Sequence, residues 1–177
     1  MLKVTLSVLA VLFALSTSEE PNPTSATFVT ASDVQATLQK APASAVSDQA
    51  IRMVDLGGLG YNVGISVVSR PKSSTQGGPV EHEKVTEIYH VMAGSGTLVT
   101  GGKLIGGKPR PAGAPQIVQL NGPSVFGTSV EGGETRRISA GDVVIIPAGV
   151  NHWFTDIQES LTYLVVRVDP GKVVAPK

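Results

Sequence analysis

Residues 141–152 read GDVVIIPAGVNH. Gly141-Asp142 makes a turn, the Val-Val-Ile-Ile run is a short strand expected to be buried on both faces, Pro147-Ala148-Gly149 makes a second turn, and His152 opens a further strand, HWFTD. The second turn therefore fixes where His152 points. Outward from this stretch, the chain from residue 51 runs in short Val- and Ile-rich segments separated by Gly and Pro: IRMVDL, YNVGISVVSR, TEIYHVMAG, GTLVT, QIVQL, LTYLVVRV. Strands at this spacing predict an all-β sandwich or barrel.

A second stretch, EHEKVTEIYHVMAGSG at 81–96, carries two of the three histidines. The strand expected over 85–92 ends at Gly94, and its side chains alternate with period two. Glu87, Tyr89 and Val91 share one face; Ile88, His90 and Met92 share the other. His90 thus points away from Glu87. Glu81 and Glu83 flank His82 on the opposite face and are expected in solvent. An unpaired carboxylate on an inward face is costly, so Glu87 calls for a cation. Tyr89 on the same face is open to two readings, a core residue with its hydroxyl satisfied or an acid/base group or ligand.

The two stretches together resemble the paired motifs of the cupin superfamily. Gly141, Pro147, Gly149 and His152 fit the second motif, G-x5-P-x-G-x2-H, with Asp156 where that motif ends in Asn. His82, Glu87 and Gly94 fit the first, H-x-H-x(3,4)-E-x6-G, with Val80 in the place of the first histidine. The resemblance implies an antiparallel jelly-roll barrel with both motifs facing inward. It implies a divalent metal on His82, Glu87 and His152, an N2O set suited to Fe(II) with open positions and equally acceptable to Mn, Ni, Co or Zn. Val80 then leaves one more coordination position open or weakens the site. Glu87 and Tyr89 are the catalytic candidates. Cupin lyases acting on dimethylsulfoniopropionate resemble this Glu-x-Tyr spacing and use such a tyrosine, but the spacing is frequent in cupins without that activity.

Elsewhere the sequence says less. MLKVTLSVLAVLFALSTSEE has Lys3, an apolar stretch over 4–15 too short to span a bilayer, and then small residues, which reads as an export signal over 1–18. This predicts a periplasmic or extracellular protein with no membrane attachment once the signal is removed. Residues 19–50 form an extension with one short helix in SDVQATLQKAP, capped by Ser32 with Gln35 three residues on and stopped by Pro42. The barrel is expected over 51–170, with 101–134 a long inserted loop holding one or two short strands. Arg136 and Arg137 are expected at a sheet edge, one of them available for a substrate carboxylate.

Fourteen basic and fourteen acidic residues leave no electrostatic footprint for nucleic acid. With no cysteine, any metal must use His, carboxylate or phenolate. The expected partner is a small-molecule ligand or substrate, and unpaired barrel edges make a homodimer an expectation. Two functions compete: a metal enzyme of oxygenase, isomerase or lyase type acting on a small organic acid, and a non-enzymatic module binding a small ligand or metal.

Overall fold

The computed structural model describes residues 23–74 and 76–175; the expected signal at 1–18 lies outside them. In chain order the elements are helix α1 (Ala31–Leu38), β1 (Ser47–Asp55), a 3-10 turn (Gly57–Leu59), β2 (Asn62–Arg70), β3 (Val80–His82) and β4 (Thr86–Thr100). There follow β5 (Lys103–Ile105), β6 (Lys108–Pro109), a π-helical turn (Ile117–Asn121), β7 (Ser124–Phe126), β8 (Ser129–Glu131), β9 (Glu134–Ser139), β10 (Val143–Ile146) and β11 (His152–Asp169). All the strand pairs among the described residues are antiparallel. The architecture is all-β and antiparallel, with a short N-terminal helix.

β4 and β11 are the spine, paired from Val168↔Thr86 to His152↔Thr100. β2 lies along the second half of β11, and β9 and β10 follow one another along the far edge of β4. Register shifts between Phe154 and Tyr163 bend the spine, as extra residues on one strand of a pair do. At the bend Gly94 has φ +78°, and a Cβ there would lie 2.1 Å from the Ser160 carbonyl oxygen. Glycine is required at this crossing. Gly94 therefore does not end its strand, as the sequence predicts, but lets β4 turn the corner and run on. The folded spine closes its inward rows on one core that includes Tyr89, Val91, Leu98, Ile138, Ile146, Phe154, Leu161, Tyr163 and Val165. Each large apolar side chain fully buried there contributes roughly 1.5–3 kcal/mol.

Other expectations are corrected. The helix begins two residues earlier than expected: Thr30, not Ser32, is the N-cap, because Thr30 and Asp33 make both reciprocal bonds of a capping box. QIVQL is helical rather than extended, since Ile117 and Leu120, three apart, are the residues that find the core. The Val-Val-Ile-Ile strand is buried on one face only. Val143 (61% exposed) and Ile145 (66%) lie on the uncovered face of β10, while Ile146 enters the core. The 101–134 segment is no long loop: it holds β5 to β8 and the π turn, and β7 pairs with both β3 and β6 in the main sheet.

Candidate metal centre

Three elements converge. β3 lies between the start of β11 and β7, with Val80 opposite His152 and His82 opposite Ser124. The Pro-Ala-Gly turn ties them together: Gly149 N–H donates to the His82 carbonyl at 2.8 Å, and Ala148 N–H donates to Thr86 Oγ1 at 3.1 Å. The turn thus positions His82 and the start of β4 as well as His152. His82, Glu87 and His152 are almost wholly buried, and each offers one ligand atom within 4.8 Å of the others. His82 Nε2 lies 3.6 Å from Glu87 Oε1, and His152 Nε2 lies 3.4 Å from Glu87 Oε2.

Hydrogen bonds behind the imidazoles settle which nitrogen carries the proton. Ser124 Oγ donates to the Gly122 carbonyl at 2.9 Å, so toward His82 it can only accept, and His82 Nδ1–H donates to it at 2.8 Å. Val150 O, 3.4 Å from His152 Nδ1, is likewise an acceptor. Both Nε2 atoms therefore turn bare lone pairs toward a carboxylate. Burial keeps both rings neutral: it is the largest influence on each, lowering His82 to about 3 and His152 below its ordinary value against the opposing pull of Glu87. Two neutral nitrogens and a carboxylate aimed at one another, with rear partners fixing the tautomers, are a donor set for a divalent cation. His82, Glu87 and His152 can hold a metal.

The cation demanded by Glu87, however, is already supplied by the protein. Arg167, directly opposite Glu87 across β4 and β11, donates Nε–H to Oε1 at 2.8 Å and engages Asp48 through Nη2 at 2.6 Å. Tyr89 donates its hydroxyl to Oε2 at 2.7 Å. Burial pushes the Glu87 pKa upward, but Arg167 first, then the histidines and Tyr89, hold it below the usual carboxylate range. Tyr89 is pushed well above its ordinary value, chiefly by burial and then by Glu87, and keeps its proton. A carboxylate has about four lone-pair sites, so each Glu87 oxygen retains capacity beyond these bonds.

The surrounding cavity is about 230 Å3 and is also lined by Val80, Arg70, Gln76, Arg110, Asn121, Phe126 and Tyr163. His90 is exposed on the far face of β4, as its strand phase predicts. Arg136 and Arg137 do not reach the cavity: Arg136 pairs with Glu134 on the surface and Arg137 donates to Ser95. The arginines that matter are Arg70 and Arg167, which the sequence reading missed although strand phase carries a signal for both. Arg167 continues the inward row Leu161, Tyr163, Val165, where a charge is out of place; Arg70 continues Ser66 and Val68. Ser124 and Asn121 had no such signal: Asn121 ends a π-helical turn whose QIVQL segment reads as a strand, and Ser124 opens a three-residue strand inside the segment that reads as a loop.

No family model and no curated protein matches the chain. Several solved structures resemble it. A DMSP lyase, DddQ, from Ruegeria pomeroyi DSS-3 is 20% identical with a TM-score of 0.41, over 65% of this chain and 42% of that one. KdgF from Halomonas sp. is 15% identical with a TM-score of 0.42, over 74% and 83%. Recombinant oxalate oxidase in complex with glycolate is 20% identical with a TM-score of 0.42, over 76% and 55%. The chain thus spans less than half of the lyase chain.

Proposed function

We propose that this protein is an exported metal-dependent enzyme acting on a small organic acid, with His82, Glu87 and His152 as the ligands of one divalent cation. The observation that carries the reading is the convergence of two unprotonated Nε2 atoms on the Glu87 carboxylate, each tautomer fixed from behind. When bound, such a cation supplies Lewis-acid polarisation of a substrate oxygen. The chain's own groups do the rest. Arg167 and Tyr89 lock the Glu87 carboxylate in one orientation. Tyr89 holds a proton at its hydroxyl oxygen within the cavity, where it can donate a hydrogen bond to a substrate. Burial of Glu87, Tyr89 and both histidines strengthens each of these polar contacts. Export rests on the 1–18 sequence and is tested by the mass of the mature protein recovered outside the cytoplasm.

A second reading, a binding module without turnover, is favoured by the Arg167 ion pair, which leaves Glu87 neutralised without a metal. The two separate on one experiment. The metal-loaded protein is screened with small hydroxy, keto and carboxylic acids by oxygen uptake and product analysis. Turnover lost in Tyr89→Phe with metal retained supports the enzyme. Stoichiometric metal and ligand binding with no turnover across the panel supports the module.

A further inference from the structure

The cavity lining also holds polar groups that the metal triad does not use. Arg70, closing β2, donates Nε–H to the Tyr163 hydroxyl at 2.9 Å and Nη1–H to Gln76 Oε1 at 3.3 Å, with its guanidinium 4.6 Å from the Phe154 ring centre. A guanidinium has five N–H donors, so three remain. Arg70 makes no ion pair among the described residues, and the two acids lining the cavity, Asp48 and Glu87, are both held by Arg167. Asn121, ending the π-helical turn, is 8% exposed, and its Oδ1 is buried with no hydrogen-bond partner. A buried acceptor left unpaired is costly, and a ligand donor would recover that cost. Arg110, stacked on Phe126, adds a third guanidinium to the lining. The three arginines outnumber the two carboxylates, so the cavity favours an anion before any metal is counted.

We propose that these groups form a subsite for a small hydroxycarboxylate, its carboxylate taken by the unused Arg70 donors and its hydroxyl donating to Asn121 Oδ1. The planar fork of a guanidinium suits a carboxylate, and about 230 Å3 is below the usual range for drug-sized ligands. The assignment rests on the reading of the cavity as a substrate site, and its test separates the two. Trp153, the sole tryptophan, donates Nε1–H to the Gly77 carbonyl at 2.8 Å, and Gly77 lines the cavity, so indole emission reports occupancy without a metal.

Metal-free and Co(II)-loaded protein are titrated with malate and with succinate, the same diacid lacking the hydroxyl. The expected result is a saturable emission change with malate in both forms and binding of succinate about tenfold weaker. Arg70→Gln weakens malate by tenfold or more, Arg70→Lys recovers part of the loss, and Asn121→Leu abolishes the difference between the two acids. No saturable malate signal in either form, or Arg70→Gln binding malate as tightly as the unaltered protein, overturns the subsite. If Arg70→Gln does not fold, Arg70→Lys and Asn121→Leu decide: wild-type malate affinity in the first with an unchanged malate preference in the second also overturns it. The visible Co(II) band reads the metal separately. A normal band without malate binding sinks the subsite and leaves the metal reading; malate binding without a band does the reverse.

Discussion

Arg167 and Glu87 face one another across β4 and β11, joined by a 2.8 Å hydrogen bond with both side chains almost wholly buried. The same guanidinium holds Asp48 from β1 and Ser66 from β2. One cation thereby ties three strands to the candidate metal ligand. Removing it strands carboxylates in a poor solvent, so Arg167→Met should destabilise the protein by about 3–5 kcal/mol, read from chemical denaturation midpoints. A loss under about 1 kcal/mol would mean that the pair relaxes into solvent.

Ser124 acts at one remove. Ser124→Ala takes away the acceptor that holds His82 Nδ1–H, while leaving the carboxylate and both imidazoles in place. The expected outcome is a 10–100-fold weaker affinity for divalent metal, measured by calorimetric titration, in a protein that still folds. Unaltered affinity would show that strand packing alone orients His82.

Gly94 bears on the fold rather than the chemistry. Gly94→Ala sets a Cβ against the Ser160 carbonyl at 2.1 Å in a backbone with φ +78°, so the corner of the spine must open. Failure to recover soluble folded protein, or a loss exceeding about 3 kcal/mol, is expected. A near-normal thermal melt would contradict the corner as described.

Acid should weaken the metal-free protein earlier than ordinary carboxylates allow. Folded His82 is lowered from 6.5 to about 3 by burial, so between those values the unfolded chain binds a proton that the native state refuses. Stability then falls as pH drops from about 6.5. His152, lowered by the same cause, adds to this decline, and Glu87, also lowered, steepens it below about 4.5. Denaturation midpoints at pH 7, 6 and 5 check the sign, and His82→Gln should reduce the slope. A flat profile above pH 5 would show that the imidazoles take up protons in the native state.

The fold was legible where periodicity and turn chemistry agree. The inward phase of Glu87, Tyr89 and Val91 and the Pro-Ala-Gly turn before His152 both stand in the structure where the residues place them. Legibility failed where tertiary context overrode local pattern. Nothing local says that Gly94 bends a strand instead of ending it, since that depends on the approach of Ser160, distant in sequence. Nothing in Val143-Val144-Ile145-Ile146 reveals that one face lacks a covering layer. The carboxylate's need for a cation was sound electrostatics, yet chemistry alone could not choose between a metal and Arg167. The inward phase of LTYLVVRV carried that information, because an arginine closing an apolar row has to find an acid.

The central claim is that the imidazoles of His82 and His152 and the Glu87 carboxylate share one divalent cation. Elemental analysis after reconstitution and desalting measures it, comparing the unaltered protein with His152→Ala. Close to one equivalent per chain is expected in the former and a small fraction of that in the latter, with both proteins folded. Equal stoichiometric metal in the two, or none in either, would contradict it and leave Arg167 as the only cation Glu87 was built to meet.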